Sequence, residues 1–216
     1  NKVAEIINLE KVTDIMSRIN FSALLSNGRT TFPIIGEGIG PAKEQRLSSY
    51  MRFTSGAHLA DKDQFTIIIG QGVANALNLK LGDSAVLLVS TRGGAMNTLD
   101  FKVVGIFQTF SKEYDDRAIR IPISAAQELL ATKAAHSLVL SLKETDDTAA
   151  VAAELRGLLG AGFEVKTWKD LADFYQKSVD LYNRYFFVLN LIILGLVLLS
   201  VAKSVNMTLF ERTGEF

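Results

Sequence analysis

The segment YFFVLNLIILGLVLLSVA, residues 185–202, carries no charged side chain. At about 1.5 Å per residue, a helix of this length is roughly 27 Å long, close to the hydrocarbon thickness of a bilayer. Its only clearly polar side chains are Asn190 and Ser200, so apolar side chains occupy every face of the predicted helix. A buried core helix is the alternative, but such a helix usually keeps a polar stripe. The segment therefore predicts a transmembrane helix.

The residues before this segment keep a helical rhythm. Thr167 and Asp170 have the spacing of a capping box, which predicts that a helix begins at about Trp168. A helix from there through the apolar segment would be roughly 60 Å long and would project from the membrane as a stalk. Two helices with a break near Asn183 are the alternative. The side chains predicted to pack the stalk are Trp168, Leu171, Phe174, Leu181 and Tyr185.

The composition of the chain argues against several classes of function. The 23 basic and 23 acidic side chains give a formal net charge of zero, whereas nucleic-acid binding needs a cationic excess on one face. The absence of cysteine and the presence of only two histidines, His58 and His136, argue against a thiolate or imidazole metal cluster. We therefore expect no nucleic-acid partner, no metal and no cofactor in this chain.

Residues 1–167 are predicted to form a soluble mixed α/β region. Its clearest signal is RINFSALLSNGRTTFPII, residues 18–35, in which Asn27-Gly28 has the composition of a type I′ hairpin turn. The mainly helical spacing of six apolar residues predicts a helix that packs on this hairpin; these are Val3, Ile6, Ile7, Val12, Ile15 and Met16. The other predicted strands are 65–69, 85–90, 99–107, 118–121, 137–142 and 163–167; the other predicted helices are a short one around Val73, one opened by Ser124 with Gln127 as its capping partner, and 149–159.

Three glycines, Gly36, Gly38 and Gly40, follow the predicted hairpin. They predict a turn between subdomains. A phosphate-binding loop is the alternative, but the third glycine is wrongly spaced and the lysine–serine pair of a Walker motif is missing.

Two pairs of carboxylates are candidates for acid/base catalysis. Asp115-Asp116 and Asp146-Asp147 are adjacent residues in polar segments, and such pairs usually mark turns or helix caps. A G-x-S-x-G nucleophile elbow is missing from the sequence. We therefore expect no catalytic residue in this chain. The alternative is a membrane-anchored enzyme, such as a cell-wall hydrolase, which would need a cleft of convergent polar side chains.

Four ordered motifs resemble one protein family. They are IIGQGVANALNLKLGDSAVLL at 68–88, FKVVGIFQTFSKEYDDRAIRIPISAAQELL at 101–130, VKTWKDL at 165–171 and NMTLFERTGEF at 206–216. Together with the apolar helix, they look like the permease subunits of MacB-like and lipoprotein-releasing (LolC/LolE-like) ABC transporters. An FtsX-like membrane region would begin at the end of the chain.

The resemblance implies an α+β fold, with a periplasmic mixed α/β domain of two subdomains followed by a long stalk and transmembrane helix. A porter-like subdomain would comprise residues 1–41 and 118–168. An inserted second subdomain would comprise residues 42–117. Residues 169–208 would form the stalk and transmembrane helix, and residues 209–216 would start a cytoplasmic coupling segment.

The resemblance also implies a function. The family's permeases lie in the bacterial inner membrane, dimerise with an identical or a different permease subunit, and bind a cytoplasmic ABC ATPase that is a separate subunit or a fused domain. ATP-driven movement would pass along the stalk to the periplasm, where it moves a lipoprotein, drug or peptide, or acts on a periplasmic adaptor or chaperone. The predicted ATPase-coupling residues are Phe210, Glu211, Arg212, Thr213, Gly214 and Glu215.

The ends of the sequence lead us to expect a fragment of a longer permease. Asn1 is preceded by no methionine or helix, and Phe216 stands one residue short of the glycine that usually closes the family's last motif. A membrane-anchored scaffold or activator module without transport is a further alternative. Such a module would keep its function if a flexible linker replaced the stalk.

Overall fold

The structure, a computed structural model, describes residues 11–44, 51–91, 93–160, 162–171 and 173–213. The chain divides into two compact units, Asn1–Thr145 and Asp146–Phe216. The first unit contains β1 (Val12–Ser26), β2 (Thr31–Ile39), α1 (Pro41–Glu44), β3 (Arg52–Gly56), β4 (Thr66–Gly70), α2 (Gln71–Leu77), β5 (Ser84–Ser90), β6 (Met96–Gln108), α3 (Lys112–Asp115), β7 (Ala118–Pro122), α4 (Ile123–Leu129) and β8 (Ser137–Leu142). The second unit contains α5 (Thr148–Leu159), α6 (Trp168–Leu171) and α7 (Asp173–Thr213), and a 3-10 turn at Thr145–Asp147 lies at the boundary.

Six strands of the first unit form a closed circuit of hydrogen-bonded pairs. Their order is β2-β7-β4-β6-β5-β1, and β1 pairs with β2 again. The β2–β7 and β4–β6 pairs are parallel, and the other four pairs are antiparallel. β8 pairs with the first half of β1, and β3 pairs with β6. A closed sheet has an interior that inward-pointing side chains must fill.

Apolar side chains fill this interior. In β1, Phe21 and Leu25 are buried whereas Asn20 and Ser22 are exposed, the alternation of a strand with one face toward a core. Two short helices, α2 and α4, add apolar side chains to the same core; these are Val73, Ala74, Leu77, Ala125, Ala126 and Leu129. The prediction of a mixed α/β fold is confirmed.

The predicted hairpin is confirmed, but its turn differs from the prediction. β1 and β2 are antiparallel, with Ser26 opposite Thr31, so the loop has four residues, 27–30. Gly28 has a φ of +83°, whereas Asn27 is not among the non-glycine residues with positive φ. The Asn27 side-chain oxygen instead accepts hydrogen bonds from the N–H groups of Arg29 and Thr30. A side-chain turn of this kind stabilises the loop without the backbone of a type I′ turn.

The glycines after the hairpin do not form the predicted turn. Gly36 and Gly38 lie inside β2, and Gly36 stands opposite Phe21 of β1. A methyl group at Gly36 would overlap the Phe21 ring, and one at Gly38 would overlap the Ala126 side chain. These two glycines therefore permit close packing inside a strand.

Three other local predictions are wrong. Val12, Ile15 and Met16 lie in β1 and not in a helix, because pairing with β8 and a register irregularity near Val12 override the helical spacing. Val3, Ile6 and Ile7, from the first half of the same predicted helix, lie outside the described residues. Residues 163–167 form no strand. Ser124 does not cap α4, whose first flanking residue is Pro122.

The strands assigned to the two predicted subdomains pair with each other. β4, from the predicted inserted part, pairs with β7 from the predicted porter-like part, and β5 pairs with β1. The subdomain boundaries at residues 41/42 and 117/118 stay a prediction.

The second unit is dominated by one helix. α7 runs without interruption from Asp173 to Thr213, over 41 residues, which corresponds to about 60 Å. This excludes the alternative of a break near Asn183. A helix begins at Trp168, as predicted, with α6. Ala172, which stands between α6 and α7, lies outside the described residues, so the prediction of one helix from Trp168 through the apolar segment stays a prediction.

Candidate functional site

The long helix α7 contains the apolar segment. Within Ser178–Lys203, a window of 18 residues has a mean hydropathy of 2.5, and none of that window is buried. A core helix of a soluble protein would be covered by other elements, so complete exposure favours a membrane span. At about 1.5 Å per residue this part of α7 is long enough to cross a bilayer with some tilt.

The capping box before α6 is confirmed. The Asp170 carboxylate accepts hydrogen bonds from the Thr167 N–H and hydroxyl, both at 2.8 Å, and the Asp170 N–H donates to the Thr167 hydroxyl at 3.4 Å. The backbone hydrogen bond from Thr167 is the main cause that lowers the pKa of Asp170. The side chain of Thr167 therefore fixes where α6 begins.

The predicted stalk-packing residues lie on α6 and α7. Within this single chain Trp168, Leu171, Leu181 and Tyr185 are all exposed, and the Lys169 ammonium lies 5.7 Å from the Trp168 ring centre. The side chain of Phe174 lies outside the described part of the chain. A packing role for these residues stays a prediction.

The predicted coupling segment begins on the same helix that contains the apolar segment. The backbone of Phe210, Glu211, Arg212 and Thr213 forms the last turn of α7. Gly214 and Glu215 lie outside the described residues. The helix α7 is thus continuous from Asp173, shortly after the capping box, to Thr213 in the predicted ATPase-coupling segment.

The first unit contains a buried ion pair that sequence reasoning missed. Arg120 of β7 is only 2% exposed, and its Nε lies 2.8 Å from the Glu37 Oε2 of β2. The two residues are register partners on these parallel strands. Arg120 also donates hydrogen bonds to the Met51 sulfur at 3.1 Å and to the Tyr114 hydroxyl at 3.3 Å. One feature of the sequence could have indicated this ion pair: Arg120 is the only charged residue in AIRIP, an otherwise apolar strand.

A second buried ion pair joins α1 to β1. Glu44, 1% exposed, pairs with the Arg18 guanidinium. A further ion pair, at 3.0 Å, joins Lys43 of α1 to Asp14 of β1. Charged contacts therefore hold the short helix α1 against the first half of β1.

His58 lies near both buried pairs. Its ring is 5.6 Å from that of Phe53. Burial is the largest cause that lowers the pKa of His58, followed by the positive charge of Arg120; the Leu59 backbone and Glu44 act in the opposite direction. A neutral imidazole is therefore favoured in the folded state.

The candidate catalytic carboxylates have structural partners. The Asp115 carboxylate, 3% exposed, accepts hydrogen bonds from the Thr109 N–H and hydroxyl. Asp116 pairs with Lys112 at 2.7 Å. Asp146 and Asp147 lie in the turn before α5. The first pair therefore stabilises a loop, and the second pair precedes a helix. Acid/base catalysis would need two groups directed at the same point, and neither pair has this arrangement.

Comparison with known proteins identifies the family. Residues 1–158 match the family model of the MacB-like periplasmic core domain. The chain belongs to this family. The resemblance to MacB-like and lipoprotein-releasing permeases is thereby confirmed.

Two curated relatives of this family member are lipoprotein-releasing system transmembrane proteins. LolE of Haemophilus influenzae is 21% identical over 223 residues, which cover 96% of this chain and 53% of LolE. LolC of Neisseria meningitidis serogroup B is 24% identical over 206 residues, which cover 91% of this chain and 50% of LolC. The chain spans about half the length of these curated relatives.

Two solved structures share the fold. The periplasmic region of MacB from Actinobacillus actinomycetemcomitans aligns with a TM-score of 0.53 at 13% identity, over 73% of this chain and 72% of that chain. The extracellular domain of the noncanonic ABC-type transporter YknZ from Gram-positive bacteria aligns with a TM-score of 0.55 at 12% identity, over 76% of this chain and 84% of that chain. At these identities the likeness concerns the fold alone.

Proposed function

We propose that this chain is part of the permease subunit of a MacB/LolCDE-type ABC transporter. Its role is to transmit ATP-driven movement from a cytoplasmic ATPase to the extracytoplasmic domain, where the movement exports or releases a substrate such as a lipoprotein. The membrane is the bacterial inner membrane, and the closed-sheet unit lies on its periplasmic side. The family match and the lipoprotein-releasing relatives support this proposal.

The observation that carries the proposal is the continuity of α7. A single helix of 41 residues contains both the apolar Ser178–Lys203 and the backbone of residues 210–213. Because a helix is a stiff rod over this length, a tilt at one end displaces the other end. A rod of this kind couples two sides of a membrane without any chemistry of its own.

The proposal includes partners and excludes chemistry in this chain. The partners are an ABC ATPase, as a separate subunit or fused domain, a second permease subunit, and a periplasmic lipoprotein, adaptor or chaperone. We further propose that the chain carries no catalytic residue and binds no cofactor. In the described part of the chain, Asp115 and Asp116 have structural partners, and Asp146 and Asp147 precede a helix. Among the described residues no group of three or more His, Asp or Glu is arranged to hold a metal ion.

Charge reversal in the coupling segment tests the proposal. In a complex reconstituted in lipid vesicles, E211K combined with R212E is expected to lower ATP-dependent cargo release at least about tenfold, because a charged surface of mixed sign orients its partner. The closed-sheet unit should keep its circular dichroism spectrum.

A matched control carries the same two changes elsewhere. Glu154 of α5 and Arg29 of the hairpin loop are exposed, so E154K combined with R29E should leave cargo release within about twofold of the unmodified protein. Full coupled activity in E211K/R212E would contradict the proposed role of this segment.

The sequence left two competing functions, and each has a distinguishing experiment. A membrane-anchored enzyme would show activity in a fragment of residues 1–167 without any ATPase. A scaffold or activator module would retain its activity when the first part of α7 is replaced by a flexible linker. No observation on the structure favours either function over mechanical transmission.

A further inference from the structure

The strand β1 has two halves that pair with different neighbours. Residues 12–18 pair with β8, and residues 19–26 pair with β2. In the part of the chain that the structure describes, β1 is the only strand that pairs with β8. The strand pairing of β8 with the closed sheet therefore depends on a single point in β1, the junction between Arg18 and Ile19.

The short helix α1 follows β2 at this junction. Gly38 of β2 is the register partner of Ile19, and α1 begins three residues later, at Pro41. The Ala42 N–H donates a hydrogen bond of 3.1 Å to the carboxylate of Asp61, which lies between β3 and β4. The first end of α1 is therefore attached, through the covalent chain, to a strand of the closed sheet.

The side chains of α1 contact the other half of β1, the half that pairs with β8. The buried Glu44 carboxylate accepts a hydrogen bond from the Arg18 guanidinium. The Lys43 ammonium lies 3.0 Å from the Asp14 carboxylate and 3.0 Å from the Ile15 carbonyl oxygen. Because Asp14 and Arg18 are four residues apart, these contacts extend along about 13 Å of the strand. We call the three contacts the α1 brace.

The α1 brace opposes a separation of β8 from the closed sheet. Separation would leave the buried Glu44 without Arg18, and breaking a buried ion pair costs more than breaking an exposed one. β8 is the last strand of the first unit, and the chain continues from it through the turn Thr145–Asp147 to the unit that contains α7. Movement that passes along the chain from α7 therefore reaches β8 before any other strand.

We propose that the α1 brace is a coupling device, which holds β8 and the first half of β1 fixed relative to the closed sheet so that movement of β8 displaces the whole closed sheet. Without the brace, β1 would bend or its first half would open at the junction, and the movement would be absorbed there. The inference rests on the proposed function, because the movement it transmits is that of α7.

Amide hydrogen exchange in the full-length protein, reconstituted in lipid nanodiscs, tests the brace. Glu44→Gln removes the buried charge and should speed exchange of the β8 amides at least about tenfold, because less free energy then opposes local opening. Exchange in β4, at the centre of the closed sheet, should stay within about twofold. Glu37→Gln is the matched control, because it breaks a buried ion pair inside the closed sheet; it should leave the ratio of β8 to β4 exchange within about twofold of the unmodified protein.

A milder substitution tests the brace if Glu44→Gln fails to fold. The Lys43 side chain is 54% exposed, so Lys43→Met removes the ammonium without leaving a buried cavity. Partly exposed ion pairs contribute little stability, and exchange in β8 should rise only about two- to fivefold. In the same nanodisc preparation and in vesicles, Glu44→Gln should lower the cargo released per ATP hydrolysed at least about threefold, whereas Glu37→Gln should keep it within about twofold.

The other outcomes overturn the inference. Unchanged β8 exchange in the folded α1 variants, or equal acceleration in β8 and β4, would show that α1 does not hold β8 to the closed sheet. Faster β8 exchange with normal cargo release per ATP would show that the brace takes no part in coupling. Failure of the proposed function is recognised separately, because the unmodified protein would then release no cargo in response to ATP while the exchange of β8 would still respond to Glu44→Gln.

Discussion

Arg120 and Glu37 illustrate how single charged residues organise the outer side of the closed sheet. Ile119 and Ile121 on either side of Arg120 belong to the interior core, so the strand alternation turns Arg120 to the opposite face. There the guanidinium is 2% exposed and lies beside the Glu37 carboxylate. Removing one partner of such a pair costs more than removing both.

A double-mutant cycle checks this prediction. Glu37→Gln leaves a buried guanidinium without its carboxylate and should lower the free energy of unfolding by about 3 kcal/mol. Glu37→Gln combined with Arg120→Met should cost about 1 kcal/mol, because neither charge of the pair remains. Denaturant unfolding followed by circular dichroism measures the two single variants, Glu37→Gln and Arg120→Met, and the double variant. Costs that simply add would show that the two side chains do not interact.

The environment of His58 predicts a dependence of stability on pH. Burial and the charge of Arg120 lower the pKa of His58 in the folded state, so between that pKa and about 6.5 the unfolded chain binds a proton that the folded chain does not. The free energy of unfolding should therefore fall as pH drops below about 6.5. His58→Phe should remove this part of the pH dependence while keeping the ring contact with Phe53.

A matched substitution completes the pH experiment. His136 is exposed, and His136→Gln should keep the loss of stability below pH 6.5 that His58 causes. If His58→Phe and the unmodified protein lose stability in parallel from about pH 6.5 downwards, protonation of His58 is not the cause.

At the scale of single elements, the strand pair β1–β2 depends on a glycine. The Phe21 ring lies over Gly36 of β2, and a methyl group there would force side chains or strands apart. Gly36→Ala should lower the free energy of unfolding by about 1–3 kcal/mol. Gly157 of α5 has open space around its α-carbon, so Gly157→Ala should instead raise it by about 0.5–1 kcal/mol. Equal effects in thermal unfolding would contradict the packing explanation.

Elements with strong local signals were predictable from the sequence. Residues 137–142 and 118–121 match β8 and β7 closely, and α5 ends at Gly160 as predicted. The first half of β1 was predicted as a helix, because the register irregularity between Val12 and Asp14 hides the two-residue alternation. The type of the hairpin turn was missed because the Asn27 side chain, not positive backbone angles, closes the loop.

Only part of the candidate site was predictable from the sequence. The apolar segment identified α7 because twenty or so apolar residues have a distinctive length. The buried charges Arg120, Glu37 and Glu44 were not recognised as partners, because they lie on elements that only tertiary pairing brings together. The surroundings of His58 were not predicted, and the structure places it beside these charges with a lowered pKa.

At the scale of the whole molecule, closure of the sheet depends on contacts distant in sequence. β2 and β7 pair in parallel although about 80 residues separate Gly36 from Ile119, and local propensity carries no information on such a pair. The result is a unit with its own apolar core, and close-packed protein interiors have low compressibility. A rigid unit suits mechanical transmission, because a soft domain would absorb movement before it reached a substrate.

The most direct test of mechanical transmission replaces the part of α7 that precedes the aromatic end of the apolar segment. Residues 173–183 are exchanged for a Gly-Ser linker of equal length, and ATP-dependent cargo release and ATP hydrolysis are measured in the same vesicles. A flexible linker transmits no tilt, so ATP hydrolysis should persist while cargo release falls to the level seen without ATP. Cargo release at the rate of the unmodified protein would contradict the claim that α7 transmits movement.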